Sequence, residues 1–253
     1  MRLSANLGFL FRDRALGDAI RTAASHGFEA VEMHWPYDVD PGLVADVLAE
    51  TGLPLLGINT SKGEGGSFGL SALPDRIAEA REAIDQALAW ARIAGSRNVH
   101  VMAGMAEGPE AFRTFVDNLA YASDLAAKYG IGLLLEPINP YDAPGYFLAS
   151  LDLARDVIAA VGSPSMRVMF DCYHMQIIRG DLLHTLRDNL DVIGHVQFAA
   201  VPDRTEPDRG EVDYRWLLPE IEASGYDGWF GAEYRVTDSS YAWLRAFRYK
   251  ALS

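Results

Sequence analysis

The sequence predicts a closed α/β barrel, (β/α)8, formed as one unit over residues 1–253. Three observations point there. Eight short apolar or alternating runs punctuate the chain, and a segment with helical period follows each of them. Dividing 253 residues among eight such pairs gives about 32 per pair, the proportion of a (β/α)8 barrel. A doubly wound open sheet is the competitor, but it carries a phosphate-binding glycine fingerprint after its first strand. Here Leu10-Phe11-Arg12-Asp13 stands in that place.

In chain order, strand one is expected over Leu3–Phe9 and a helix over Ala15–His26. Strand two follows at Ala30–His34 and a helix at Pro41–Thr51. Strand three, Pro54–Asn59, runs into the glycine-rich Gly63–Gly69, which lacks a Walker lysine and reads as a flexible loop at the barrel mouth. The clearest helix is Asp75–Ile93: Ile77, Ala80, Ile84, Leu88 and Ala91 mark one face, with Arg76, Glu79, Glu82 and Asp85 elsewhere. Strand four is Asn98–Ala103, then a helix over Pro109–Tyr129. Strand five is Ile131–Ile138, with a helix at Ser150–Val161. Strand six, Arg167–Asp171, precedes a helix over Asp181–Asn189. Strand seven, Ile193–Ala199, precedes Tyr214–Ser224, and strand eight, Gly228–Tyr234, precedes Ser239–Tyr249. Gly27, Gly52, Gly130 and Gly225 are placed as glycine stops after four of these helices.

A net charge of −13 argues against a nucleic-acid or anionic-membrane partner, since both need a basic surface. Cys172 is the one cysteine, so no internal disulfide can form. The opening MRLSANLGFLFRDR lacks the basic start and apolar stretch of a secretory signal, and no apolar run is long enough for a bilayer span. A cytoplasmic protein with a small-molecule partner is the expectation.

Four polar side chains stand at the ends of apolar runs: Glu136 in GLLLEPI, Asp171 in RVMFD, Gln197 in GHVQF and Glu233 in WFGAE. They lie 35, 26 and 36 residues apart, each enough for a strand, a helix and two loops. An unpaired carboxylate there is costly to bury, and a cation shared by the four would remove that cost. In a barrel, strands five to eight bring their C-terminal ends together at the catalytic face. Three carboxylates and an amide oxygen form a hard donor set suited to Mg²⁺ or Mn²⁺. The bland alternative is strand-end acids capped by backbone amides or arginine.

Glu136 and Glu233 can then act as a proton-transfer pair: one abstracts a proton beside a polarised carbonyl and the other returns one to the neighbouring carbon. His195 shares a face with Gln197, and either orients that amide or is a bonded core histidine. His174, three residues past Asp171, is placed at the rim to hold a substrate oxygen. His34 shares a face with Glu32 and is either a pocket wall or packing. His100 reads as packed in strand four, His26 and His184 as helical, and Cys172 as facing the helices.

The strings LLLEPINPYDAPGYFL (133–148), FDCYHMQIIRGDL (170–182), GHVQFAAVPDRTEPDRGEVDY (194–214) and GYDGWFGAEY (225–234) resemble the hydroxypyruvate isomerase family. That family belongs to the xylose-isomerase-like barrel group, with the ketose 3-epimerases and endonuclease IV. The resemblance implies a metal-dependent isomerase of the type that converts hydroxypyruvate to tartronate semialdehyde. It implies Glu136 and Glu233 as proton donor and acceptor and as metal ligands, with Asp171 and Gln197 completing the set. Gln197 stands where related epimerases place histidine. His174 would contact substrate. Arg204 and Glu211 would line the loop after strand seven, Arg204 gripping a substrate carboxylate or else forming a surface ion pair.

Three departures bear on the substrate: NTSKGEGGSFGL (59–70) lacks the family's aspartate–tryptophan pair, Ala200 replaces a frequent aspartate, and Val236 replaces a usual proline. A longer 2-oxo sugar acid, as in 2-oxo-tetronate isomerisation, is the rival substrate. Ketose 3-epimerisation, metal phosphodiesterase chemistry and non-catalytic sugar binding are the further alternatives. Barrels of this group often associate; Trp243, Phe247 and Tyr249 in the last helix either support a homo-oligomer or pack on the barrel.

Overall fold

The computed structural model describes residues 1–249, with side chains through Phe247. The strands are β1 (Leu3–Asn6), β2 (Ala30–Glu32), β3 (Gly57–Asn59), β4 (Asn98–His100), β5 (Gly132–Leu135), β6 (Met166–Asp171), β7 (Ile193–Phe198) and β8 (Phe230–Ala232). The helices are α1 (Leu16–Ser25), α2 (Pro41–Thr51), α3 (Ile77–Ala94), α4 (Gly108–Tyr129), α5 (Leu151–Val161), α6 (Cys172–Ile178), α7 (Leu182–Asp188), α8 (Tyr214–Ala223) and α9 (Ala242–Tyr249). All pairings are parallel, in the order β2-β1-β8-β7-β6-β5-β4-β3. Between β2 and β3 the ring is closed by the Val31–Leu55 bridge, where Val31 donates to Pro54 at 3.1 Å and Leu56 donates to Val31 at 2.9 Å. The result is the TIM barrel that the eight-unit spacing predicts.

Alternation along the strands builds two different surfaces. Leu3, Ala5, Val31, Val99, Leu133, Leu135, Val168, Phe170, Val196, Phe198, Phe230 and Ala232 are buried in the main apolar core. The intervening Ser4, Asn6, Glu32, His100, His195 and Gln197 are buried too, but as a polar set. Gly27, Gly52, Gly130 and Gly225 all have positive φ just past their helices, as expected. Trp243 and Phe247 are buried, with their ring centroids 5.9 and 6.3 Å from that of Phe198, so the described part of α9 packs on the barrel. The side chain of Tyr249 lies outside the described residues. No helix among the described residues is long and apolar enough to cross a membrane.

Two differences from the expected elements matter for the site. Most strands stop short of the predicted C-terminal ends, which leaves Glu136 and Glu233 one residue beyond β5 and β8. And α6 follows β6 directly. Its sequence CYHMQII has no polar face to signal a helix, but the Asp171 side chain accepts from the Tyr173 N–H at 2.9 Å and caps it.

Candidate active site

The strand ends bring Asn6, Glu32, His100, Glu136, Gln197 and Glu233 around one narrow cavity in the barrel interior. Its volume is about 20 Å³, room for one water-sized or ion-sized occupant. Asp171 stands in register with Gln197, and Gln197 in register with Gly231 of β8. Gly231 has no side chain, and the Glu32 carboxylate from β2 occupies that space: a Cβ on Gly231 would lie 2.3 Å from Glu32 Oε1.

Glu32 organises the layer below the mouth. Its carboxylate accepts from Ser4 Oγ at 2.5 Å and from Gln197 Nε2 at 2.7 Å, and lies 3.0 Å from His195 Nε2. Burial works against the charged form of Glu32, but His195, Ser4 and Gln197 overcome it and hold its pKa below the ordinary value. Because a carboxylate can only accept here, Gln197 must present its NH₂ to Glu32, which turns Oε1 the other way. That Oε1 is buried and has no partner among the described residues. His195 does not contact the Gln197 amide, one of the two roles open to it: its Nε2 lies beside the Glu32 carboxylate outside hydrogen-bond geometry and favours the charge there. The physical reason is that alternate residues of one strand stand apart along it, while Glu32 reaches both from across the barrel.

Above this layer lie the acids. Glu136 Oε1 is buried without a hydrogen-bond partner among the described residues. Burial, then the charges of Glu233 and Asp171, push the Glu136 carboxyl well above the usual range. Glu233 is the opposite case. Burial disfavours its charge, but Arg204 and then His34 outweigh that and hold it at about 2. Its Oε1 accepts from Asn6 Nδ2 at 3.0 Å and lies 2.7 Å from His34 Nε2; its Oε2 accepts from Arg204 Nη2 at 2.9 Å. Asp171 lies between these cases, pushed up to about 7 by burial against the pull of Arg204.

Arg204 departs from its expected role. The same Nη2 that bonds Glu233 also donates to Asp171 Oδ2 at 3.1 Å, and Nη1 donates to Asp142 Oδ2 at 3.4 Å. The guanidinium lies 4.9 Å from the Phe9 ring centroid and 4.8 Å from that of Tyr173. It is neither a surface ion pair nor free to grip a carboxylate in this arrangement, because three acids that need a counter-charge surround it. Glu211 lies in the loop after β7, as the resemblance implies, but its side chain does not face the cavity. The chain turns at Gly210, where a Cβ would come within 2.5 Å of the Val201 carbonyl oxygen, and sends Glu211 to the surface, where Gln176 donates to it at 3.2 Å.

His34 is a pocket wall: it bonds Glu233 on one side and lines an open cleft with Gly8, Arg12, Arg14 and Trp35 on the other. His174 is buried in the first turn of α6. Its Nε2 lies 3.7 Å from Glu136 Oε1 and 3.6 Å from Asp171 Oδ2. One ligand atom each from Glu136, Asp171 and His174 lie within 4.8 Å of one another. The loop 59–70 is tied to the rim: Trp35 donates to Thr60 O at 3.0 Å, and Lys62 Nζ lies 4.9 Å from the Trp35 ring centroid.

Sequence reasoning missed Glu32 and Asn6 as site residues, although both lie at strand ends with inward parity, the signal that found Gln197. It also treated His100 as simple packing. His100 is buried with its Nδ1 3.7 Å from Glu136 Oε2, but neither ring nitrogen has a hydrogen-bond partner among the described residues, and burial brings its pKa down to about 4. Asn139 and Asp142, in the loop after β5, carried no signal of their own.

Comparison with known proteins agrees with this architecture. Residues 20–248 match the family model described as xylose isomerase-like TIM barrel. The chain is 39% identical to the 2-oxo-tetronate isomerase of Cupriavidus necator, over 97% of this chain and 98% of that protein. It is 35% identical to the hydroxypyruvate isomerase of Escherichia coli, over 98% and 100% respectively. A crystal structure from Brucella melitensis, named AP endonuclease, family 2, superposes with a TM-score of 0.93 at 36% identity, covering 98% of this chain and 99% of that one.

Proposed function

We propose that this chain, which belongs to the xylose isomerase-like TIM barrel family and is an isomerase of its hydroxypyruvate and 2-oxo-tetronate isomerase branch, moves a carbonyl between adjacent carbons of a small 2-oxo hydroxy acid. The observation that carries this reading is the placement of Glu136 and Glu233 around one cavity with two buried acceptors, Glu136 Oε1 and Gln197 Oε1, left without hydrogen-bond partners among the described residues. Unpartnered buried oxygens next to further carboxylates suit a hard divalent cation, and the donor types of Glu136, Asp171, Gln197 and Glu233 suit Mg²⁺ or Mn²⁺. Those four residues would hold it. When bound, such an ion supplies polarisation of the substrate carbonyl, which acidifies the adjacent C–H.

The chain's own groups then divide the proton work. Glu233, held ionised by Arg204 and His34, is suited to accept a proton from carbon. Glu136, which lines the same cavity, is suited to return one to the neighbouring carbon. The enediolate formed between these steps carries its charge on substrate oxygens, and His174 lies within reach to hold one of them. Arg204 shares its charge among Asp171, Glu233 and Asp142, and so keeps the acid cluster from repelling itself.

A direct test incubates the purified protein with Mg²⁺ or Mn²⁺ in deuterated solvent with hydroxypyruvate, four-carbon 2-oxo hydroxy acids and free ketoses. Carbon-bound deuterium in a 2-oxo hydroxy acid is the expected result, and exchange in none of them removes the proposal. Incorporation at C3 of a free ketose would move it to 3-epimerisation. The endonuclease name of the Brucella melitensis protein favours phosphodiester cleavage as the second reading; cleavage of abasic DNA by this chain without any carbon-proton exchange would select it.

A further inference from the structure

We infer that Asn139 is the positioning residue that fixes His174 as an Nε2–H donor, so that His174 presents a hydrogen to a substrate oxygen and does not ligate the cation. This rests on the isomerase reading above. The oxygen and nitrogen of the Asn139 amide are told apart by what they bond. Its Oδ1 is 3.0 Å from the backbone N–H of Tyr141 and 3.0 Å from that of Asp142. Backbone N–H groups can only donate, so this atom is the oxygen and the other is the NH₂. That NH₂ lies 2.7 Å from His174 Nδ1 and 3.4 Å from Asp142 Oδ2, giving each of its hydrogens an acceptor. The backbone N–H of Asn139 also points at His174 Nδ1, at 3.3 Å.

Two donors converging on Nδ1 require a lone pair there. The proton of the neutral ring is then on Nε2. Nε2 is the atom that faces Glu136 and Asp171, at 3.7 and 3.6 Å. An N–H in that position cannot give an electron pair to a metal, although the distances alone group His174 with those two acids. Asn139 is wholly buried, and its carbonyl oxygen is committed to the turn over residues 139–142, so the amide cannot rotate without breaking two backbone hydrogen bonds. The consequence is a cation set made of oxygen alone, with a hydrogen-bond donor held beside it.

The tautomer can be read by ¹⁵N NMR of the imidazole nitrogens at neutral pH, with and without Mg²⁺, using His174→Gln to assign the signal. The wild-type protein should show His174 with Nδ1 unprotonated and Nε2 protonated in both states. Asn139→Asp keeps an oxygen for the turn but sets a carboxylate oxygen on Nδ1. It should move the proton to Nδ1, expose the Nε2 lone pair, and raise Zn²⁺ affinity at least tenfold more than Mg²⁺ affinity, within the range commanded by groups that hydrogen-bond a ligating histidine. An unprotonated Nε2 in wild type, or a ring pattern unchanged in Asn139→Asp, overturns the inference. The wild-type spectrum needs no variant to fold. Deuterium exchange reports separately: the expected tautomer without exchange of any substrate sinks the isomerase reading alone, and exchange with the opposite tautomer sinks this inference alone.

Discussion

Gly8→Ala tests whether His34 serves the reaction through Glu233. A Cβ on Gly8 would lie 2.2 Å from His34 Nδ1, 2.3 Å from Cγ and 2.5 Å from Cε1, separations no real contact tolerates. The main chain is poorly placed to yield, because the Gly8 N–H donates to Asn6 Oδ1 at 2.9 Å while Asn6 Nδ2 bonds Glu233 at 3.0 Å. The imidazole is the part that can move, since its side chain is 15% exposed and borders the open cleft. Its displacement breaks the 2.7 Å contact with Glu233 Oε1. A hydrogen bond to a charged group contributes about 1.5–3 kcal/mol. If that bond holds Glu233 in its reactive position, kcat/KM falls roughly 10- to 150-fold.

The fold should lose little, about 1 kcal/mol and so a few degrees in Tm, because the ring moves toward solvent. Steady-state turnover of the exchanging 2-oxo acid, measured beside thermal melts, separates the two effects. The double variant Gly8→Ala/His34→Ala sharpens the test: with the ring gone there is nothing to collide with, so the double should turn over like His34→Ala alone. Turnover of Gly8→Ala within twofold of wild type, or losses that simply multiply in the double, would refute the reasoning.

Three further outcomes are expected. Glu136→Gln and Glu233→Gln should each lower turnover by at least about a hundredfold, the scale of a lost acid or base, with the fold retained by circular dichroism; near-normal turnover in either removes that residue from proton transfer. Gly231→Ala should crowd Glu32 Oε1 at 2.3 Å and Gln197 Cγ at 3.0 Å, lowering stability by about 1–3 kcal/mol in chemical denaturation, and an unchanged midpoint would show that the Glu32 layer has slack. Glu206 is buried and accepts from Thr237 N at 2.5 Å, Thr237 Oγ1 at 2.7 Å and Asp238 N at 2.8 Å, tying the loop after β7 to the loop after β8. Burial opposes the charge on Glu206, but the Thr237 and Asp238 bonds prevail and depress its pKa. A depressed folded pKa means that its stabilisation is complete above the unfolded value, about 4.3, and fades as pH falls through the lower folded value. Glu206→Gln should therefore be less stable than wild type at pH 7, with the gap closing below about pH 4. A gap independent of pH would contradict this.

The polypeptide's pattern was sufficient for the barrel. Strand and helix periods are local properties of consecutive residues, so eight units could be counted and the strand ends bearing Glu136, Asp171, Gln197 and Glu233 could be marked. Their convergence followed from the rule that parallel strands of a barrel end on one face. What lay outside the pattern were the contacts that decide how those groups behave. Gln197 keeps its buried oxygen free of hydrogen bonds because Glu32, 165 positions away in the chain, claims its nitrogen. Arg204 sits among the acids because its loop turns back over the mouth, and Glu211, only seven residues on, is carried outward by the same loop. His174 takes its tautomer from Asn139, which sequence spacing did not distinguish from its neighbours. Hydrogen-bond direction and counter-charge depend on atoms brought together across the barrel, so only the tertiary structure could decide them.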